Sequence, residues 1–453
     1  MTDVAPIDPP TIAPLTRPLS LLQSLRAVRR NVLEILPEAA YRQPIVSGRM
    51  SARWHMVQDP VALRRVFLDN AENYPKSQVM VRMLRPAVGD SLFTSEGESW
   101  RWQRRVVAPV FAQRNVTALG PMMTATAERA TERLRHCGGQ AELVGEMLSA
   151  TFDVICEVAL SGREHFDAKT FGQAILRYFE TAGKASVLDF LRAPDWVPRP
   201  GALLSLGAVR TMHRMVAQAI EARRKESTGK ADDLLDYMLK AEDPLTGRHM
   251  SPTDLLHNMQ FFIVAGHETT ALALSWSLLL LALYPQVQER ARAEARAALG
   301  DRAAGVAQLH AMPYVKQVIE EAMRLYPPVG ILARNVLRED TLAGRQILPN
   351  DFLFLPIYAL HRHHMWWERP NQFDPARFSL EATRSRDKYL YLPFGAGPRV
   401  CVGANFAMMQ AHIILATLVA RFQFHPTAGS LPTPTMAMTV RPDTGVRLTV
   451  QPL

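Results

Sequence analysis

Phe394-Gly-Ala-Gly-Pro-Arg-Val-Cys-Val-Gly403 is a loop built around one cysteine, and a long apolar pattern follows it directly. Val402, Phe406, Met409, Ile413, Ala416 and Ala420 recur at alternating spacings of four and three, which predicts a helix from about Val402 to Phe422. A cysteine at a helix start meets unpaired backbone N–H groups and the positive end of the dipole, so the pattern predicts a favoured thiolate at Cys401. Gly395, Gly397 and Gly403 admit conformations and close approaches that a Cβ would block. Pro398 fixes one φ and removes one donor. The segment reads as a stiff loop presenting a single thiolate, a strong electron donor to a metal, to something large and flat. An isolated cysteine is more often a small buried hydrophobe. That reading leaves the glycines, the proline, Arg399 and Phe394 unexplained at their set offsets.

Phe394, Gly397, Arg399, Cys401 and Gly403 match Phe-x-x-Gly-x-Arg-x-Cys-x-Gly, and on these residues the chain resembles the cytochrome P450 family of haem-thiolate monooxygenases. The resemblance implies haem b (iron protoporphyrin IX) as cofactor and Cys401 as the axial ligand to its iron. It also implies Arg399 beside a haem propionate, with Phe394, Gly395, Gly403 and Ala265 as further cofactor contacts. A thiolate ligand pushes electron density into the iron and favours O–O cleavage.

Ala265-Gly-His-Glu-Thr-Thr270 falls in the middle of a long helical pattern. Gly266 costs ~1 kcal/mol there against alanine, and Thr269 can bond back to the carbonyl four residues earlier. Taken alone, a kink with incidental polar residues is the better reading. Beside a thiolate loop the segment acquires chemistry: a carboxylate next to a hydroxyl, at a helix distortion able to hold water, is a proton relay in a dry pocket. The segment resembles the family's oxygen-groove motif, which implies Thr269 beside bound oxygen and Glu268 as relay acid. His267 stands at the motif's variable position and is given no role.

Glu321 and Arg324 share one face of a helix that ends at Tyr326-Pro327-Pro328. Alone they read as a surface ion pair worth under about 1 kcal/mol. Their place resembles the family's Glu-x-x-Arg helix, which implies a buried structural network with Arg377 of Phe373-Asp-Pro-Ala-Arg-Phe378. Trp100 and Arg104, four apart, default to a core tryptophan and a surface arginine. They also match the family's Trp-x-x-x-Arg, which with Arg334 implies donors to the haem propionates. Phe261, Phe262, Ala265, Val329, Ile331, Leu332 and Met436 are the pocket lining that the resemblance implies, and their bulk predicts an oily substrate.

Bulk properties bound the rest. The 453 residues are 48% hydrophobic and 21% charged, an ordinary globular balance. Net charge is +9, but the arginines are dispersed and no nucleic-acid-binding module is visible, so a mildly basic solvated surface accounts for it. Arg384, Arg386 and Lys388 are an exception that could attract an acidic electron donor. Cys137, Cys156 and Cys401 have no paired spacing, which suits a reducing compartment. His361, His363 and His364 lack an acidic or sulfur neighbour at ligand spacing and read as structural.

The proline-rich start has no apolar leader, and the longest apolar run, Ala271 to Tyr284, is fourteen residues, short of a membrane span. Amphipathic periodicity predicts helices from about Leu21 to Ile35 and from Ser251 onward, with Ser251 as N-cap and Pro252 at N1. Leu191 to Gly201 reads as a proline-rich loop, and strand-like pieces fall at Pro44 to Ser51, Gly330 to Val336 and Phe352 to Tyr358. The expected fold is mainly α, a single triangular helical P450-type haem domain over 1–453 with a small β-rich region and no fused reductase. The resemblance implies a cytoplasmic monooxygenase of soluble bacterial type, without transmembrane anchor. It would oxidise a hydrophobic small molecule with dioxygen and electrons from a ferredoxin or flavodoxin and its NAD(P)H-dependent reductase. The alternatives are a peroxide-driven hydroxylase, which the pair Glu268-Thr269 argues against, and a haem-binding protein without turnover.

Overall fold

The structure is a computed structural model that describes residues 8–49, 52–159, 167–183, 197, 199–225, 233–429 and 431–453. Its longer helices are α1 (Leu21–Arg30), α2 (Gln78–Val88), α3 (Gly97–Val110), α4 (Gly120–Arg135), α5 (Leu143–Ala159), α6 (Ala168–Thr181), α7 (Leu206–Lys225), α8 (Pro252–Leu283), α9 (Pro285–Leu299), α10 (Pro313–Leu325) and α11 (Ala404–Arg421). The strands are β1 (Ile45–Arg49), β2 (Arg53–Val57), β3 (Gln140–Glu142), β4 (Leu332–Asn335), β5 (Asp340–Leu342), β6 (Arg345–Ile347), β7 (Phe352–Leu355), β8 (Phe422–Pro426), β9 (Pro434–Met436), β10 (Val440–Pro442) and β11 (Arg447–Pro452). One sheet runs β1-β2-β7-β4, with β2 and β7 parallel, and another β3-β11-β8; β5–β6 and β9–β10 are two-stranded.

α8 is the axis of the molecule. It starts where the sequence says it should: Ser251 Oγ accepts the Asp254 N–H at 3.1 Å, the Asp254 carboxylate accepts the Ser251 N–H at 3.1 Å, and Pro252 opens the first turn. From Ala271 to Leu283 the helix is apolar on all sides because it is enclosed on all sides, and α5, α11, α10 and α9 pack against it. Its 32 residues are long and apolar enough to cross a membrane, more than the fourteen-residue run suggested. Yet 78% of its most apolar window is buried inside the protein. Ser275 and Ser277 return their hydroxyls to the carbonyls four residues back, at 2.8 and 2.7 Å, so these two hydroxyls are satisfied within the helix.

Several expectations are corrected here. α8 is continuous through Gly266 rather than distorted; a Cβ there would lie 2.9 Å from Ile155 Cδ1, so glycine admits the close approach of α5. α11 begins at Ala404, after an N-cap at Gly403, which leaves Cys401 in the loop ahead of the helix. Most of Leu191 to Gly201 lies outside the described residues. Arg386 is not a free surface charge: its guanidinium sits over Trp367 at 4.8 Å and Phe378 at 4.5 Å and donates to Arg377 O at 3.0 Å. Arg384 and Lys388 are exposed. No cluster of metal-ligating side chains is found among the described residues. His361 instead accepts the Leu392 N–H on Nε2 at 2.8 Å, and His363 Nε2 meets Gln43 O at 3.1 Å.

Burial also makes the fold acid-labile at one identifiable point. His412 on α11 lies 5% exposed with Nε2 2.9 Å from Met312 O, and burial lowers its pKa to about 4. The unfolded chain takes up this proton near pH 6.5 and the folded one does not until about 4, so stability falls as pH drops through that window. The loss expected from this side chain is about 3 kcal/mol. His412→Gln keeps a donor for Met312 O and removes the titration; urea unfolding at pH 7 and pH 4.5 should show a shallower acid loss in the variant. Equal acid losses would refute the assignment.

Candidate active site

The cysteine loop is shaped by two left-handed glycines and by its neighbours. Gly395 has φ +70° and Gly397 +68°, and a Cβ on Gly397 would stand 1.8 Å from Phe67 O, so no other residue fits there. Gly403 has φ −90° and its Cβ would have room, so nothing in the structure demands glycine at that position. The Cys401 N–H donates to Phe394 O at 2.9 Å and closes the loop.

Cys401 keeps an accessible face although it lies deep among protein atoms. Burial pushes its thiol up, against the opposing pull of the Gly403 N–H and the Arg104 charge. The helix-start expectation is corrected in its geometry: α11 begins at Ala404, so Cys401 stands ahead of the helix and is served by the Gly403 N–H and the Arg104 charge.

Around this cysteine the fold gathers cations. Trp100 and Arg104 come from α3, Arg334 from β4 and Arg399 from the loop itself. Lys76, which sequence reasoning missed, joins them through a bridge between its backbone and that of Arg334. Arg399 donates to Ser95 O at 2.9 Å, is ion-paired with Glu96, and stacks over the Trp100 ring at 4.0 Å. Burial, opposed by Glu96, lowers its pKa to about 10. Lys76 donates to Phe93 O at 2.5 Å, and burial with the neighbouring Arg399, Arg334 and Arg104 holds it well below the usual lysine range. Arg104 and Arg334 are likewise lowered by burial. Neither has a carboxylate ion-pair partner among the described residues.

This decides whether the expected haem fits. Among the described residues, Lys76, Arg334 and Arg399 share one neighbouring carboxylate, Glu96, which is held by Arg399, and Arg104 beside them has no carboxylate ion-pair partner. Desolvated positive charge in such excess is costly unless an anion compensates it. A flat group bearing two carboxylates and an iron beside the sulfur supplies that anion. The residues present fit it.

The α8 segment supplies the remaining expected site residues. The Thr269 hydroxyl donates to Ala265 O at 2.9 Å. Glu268, 6% exposed, is turned to the β9–β10 hairpin, where its carboxylate accepts the Thr439 hydroxyl at 2.9 Å and pairs with Arg441. Phe261 packs on Phe93 at 5.7 Å between ring centroids, joining this helix to the carbonyl that holds Lys76. Of the expected lining, Phe261, Ala265, Val329 and Leu332 are partly accessible, whereas Phe262, Ile331 and Met436 are closely packed, Phe262 edge-on to Phe111 at 5.1 Å. Lys76, Glu96, Thr439 and Arg441 carry no local signal in the sequence; Thr439 lies 171 positions from the carboxylate it binds.

Glu321, Arg324 and Arg377 are brought together as the pattern predicted. Arg324 grips Glu321 bidentately at 2.6 and 2.8 Å, both side chains 0% exposed, and Arg377 Nε stands 3.4 Å from the same carboxylate.

Comparison with known proteins agrees with this arrangement. The family model described as Cytochrome P450 matches residues 14–450. The chain is 31% identical over 397 residues to a cytokinin hydroxylase of Arabidopsis thaliana, with 83% of this chain and 75% of that protein covered. It is 28% identical over 417 residues to taurochenodeoxycholic 6 alpha-hydroxylase of Sus scrofa, covering 87% and 81%. The solved heme domain of cytochrome P450DA superposes with a TM-score of 0.81 at 25% identity, covering 91% of this chain and 90% of that one.

Proposed function

The chain belongs to the cytochrome P450 family, which makes it a haem-thiolate monooxygenase, and on that premise we propose that it hydroxylates an apolar or amphipathic small molecule through the site just described. The observation that carries the reading is the pairing of one accessible, deeply set cysteine with an excess of buried cations. Cys401 is the proposed axial ligand, and Arg104, Arg334 and Arg399, with Trp100, are the proposed propionate holders. Phe394, Gly395, Gly403 and Ala265 are the further proposed contacts of haem b. When bound, the haem would supply oxygen-activation chemistry, by which one atom of dioxygen enters the substrate and the other leaves as water at the expense of two electrons and two protons from outside.

The protein's own part is placement and protons. Phe261, Ala265, Val329 and Leu332 offer an apolar wall, which holds an oily substrate and keeps bulk water away. Glu268 and Thr269 are the proposed relay, the carboxylate exchanging a proton with water and the hydroxyl passing it on. The similarity to hydroxylases of a cytokinin and of a bile acid supports a ring-bearing or amphipathic substrate class. Three unpaired cysteines suit the cytoplasm, and the match over residues 14–450 supports one haem domain across them. A ferredoxin or a flavodoxin with its reductase is the proposed source of electrons. Exposed Arg384 and Lys388 are available to an acidic donor.

The test is reconstitution with NADPH, a ferredoxin and its reductase, using substrates selected by their shift of the haem spectrum, under isotopically labelled dioxygen. One labelled oxygen atom in the product is expected. Thr269→Val should lower product per NADPH by about tenfold to a hundredfold, with peroxide released in its place. Product formed only on adding peroxide, or Thr269→Val as well coupled as the native protein, would overturn the reading.

A further inference from the structure

The geometry points to a role for the β9–β10 hairpin in the reaction: we propose that Arg441, seconded by Thr439, is a positioning residue that latches the Glu268 carboxylate and governs its delivery of protons to Thr269. The inference rests on the reading of Glu268 as the relay acid. It adds residues 171 or more positions away in sequence, on a different element.

The contacts form a closed set. Glu268 Oε1 accepts the Thr439 hydroxyl at 2.9 Å, the same oxygen is paired with Arg441 Nε, and Arg441 Nε lies 3.2 Å from Thr439 Oγ1. One carboxylate oxygen thus takes both donors of the hairpin. Thr269, next along the helix, has its hydroxyl committed to Ala265 O. No direct bond joins Glu268 to Thr269 in this arrangement, so the hairpin's hold on the carboxylate sets how readily it turns to Thr269.

The exposures show which partner can let go. The Glu268 side chain is 8% exposed and that of Arg441 40%, so the guanidinium spans from a buried acid to bulk water. An ion pair with one partner at the surface is weak and opens readily, whereas a fully buried pair would lock the acid in place. The other ionisable neighbour, His267, is kept neutral by burial and does not compete for the carboxylate. α8 is a 32-residue helix packed against several others, while β9 and β10 are three residues each in a two-stranded ribbon, so the hairpin is the side that yields.

The proton is accounted for as follows. When the pair opens, the carboxylate takes one proton from bulk solvent, a hydronium ion relayed by water beside Arg441 that is left as neutral water, and turns to Thr269. It gives the proton to the hydroxyl oxygen as the hydroxyl passes its own proton onward, and it returns ionised to Arg441. Arg441 stays charged throughout.

The test uses the haem-loaded full chain with NADPH, a ferredoxin and its reductase, following dioxygen consumption in H2O and D2O. Arg441→Met is expected to slow consumption about tenfold and to roughly double the solvent isotope effect, at unchanged haem content and carbon monoxide spectrum. Arg441→Lys, which keeps the charge, should recover much of the rate. Glu268→Gln should be slow by itself, and adding Arg441→Met to it should cost nothing more, because the latch acts only through that carboxylate. If Glu268→Gln is slow while Arg441→Met keeps the native rate and isotope effect, the latch is overturned and the relay stands. Additive losses in the double variant also overturn it. A neutral Glu268→Gln overturns the relay itself, and the latch with it.

Discussion

Cys401→Ala is expected to reduce product formation to background and to remove the thiolate-type Soret band from the carbon monoxide spectrum of the reduced protein. The physical reason lies in where the sulfur sits. Its accessible face lies deep in the protein, and burial disfavours the free thiolate despite the Gly403 N–H and the Arg104 charge. A thiolate there is stable only against a metal cation, which displaces its proton and takes the negative charge. Alanine preserves the loop, because Gly395, Gly397 and the Cys401 N–H to Phe394 O contact set its path without the sulfur. The variant should therefore fold and still take up some haem through the buried cations, but with a weaker or foreign axial ligand. A variant that retains the native band and native turnover would show that some other group holds the iron. A histidine-type band from the native protein would say that Cys401 stays protonated.

The second large effect is structural. Glu321→Ala is expected to yield little soluble protein, and that little without haem. Arg324 is fully buried and would lose both oxygens of its only carboxylate partner, at 2.6 and 2.8 Å. Asp374 N–H would lose its acceptor at 2.9 Å and Arg377 its counter-charge. Breaking such a pair by removing one partner costs about 3–5 kcal/mol, a large part of the ~5–15 kcal/mol that holds a domain together. The damage reaches the cysteine by a traceable route. Arg324 also donates to the carbonyls of His361, Pro370 and Gln372 at 2.8, 2.7 and 2.9 Å, and the His361 ring in turn accepts the Leu392 N–H at 2.8 Å. Leu392 O accepts the Gly395 N–H at 3.1 Å, on the threshold of the loop. Freeing Arg324 therefore loosens the seat of Cys401 from behind. Haem content by absorbance and the melting temperature of Glu321→Ala and Glu321→Asp decide it: stable, haem-replete Glu321→Ala would exclude this role, and the aspartate, with its charge but a shorter reach, should fall between.

The three histidines at 361–364 show how one such network explains what spacing could not. His361 is buried and burial holds it far below the usual imidazole range, so it stays neutral and its Nε2 remains an acceptor for Leu392. His363 fixes the start of the β1 region through Gln43 O, and the His364 N–H does so through Tyr41 O. Their clustering in the sequence reflects three separate bonds to two distant segments.

What the sequence determined by itself is local chemistry whose spacing is physical. The cap at Ser251, the left-handed glycines 395 and 397, the i to i+3 pairing of Glu321 with Arg324, and the cysteine between a loop and a helix are each set within a few residues, and each was legible. The strand-like pieces at Gly330 and Phe352 became β4 and β7 for the same reason. Tertiary structure alone decided three things: that α8 runs straight past Gly266 against Ile155, that Lys76 and Glu96 belong to the charge cluster, and that Glu268 answers to Arg441. Each depends on which distant segment is packed opposite. A charge carries no record of its partner in its own neighbourhood, and desolvation, which acts on Cys401 against the Gly403 N–H and the Arg104 charge, is a property of the assembled fold.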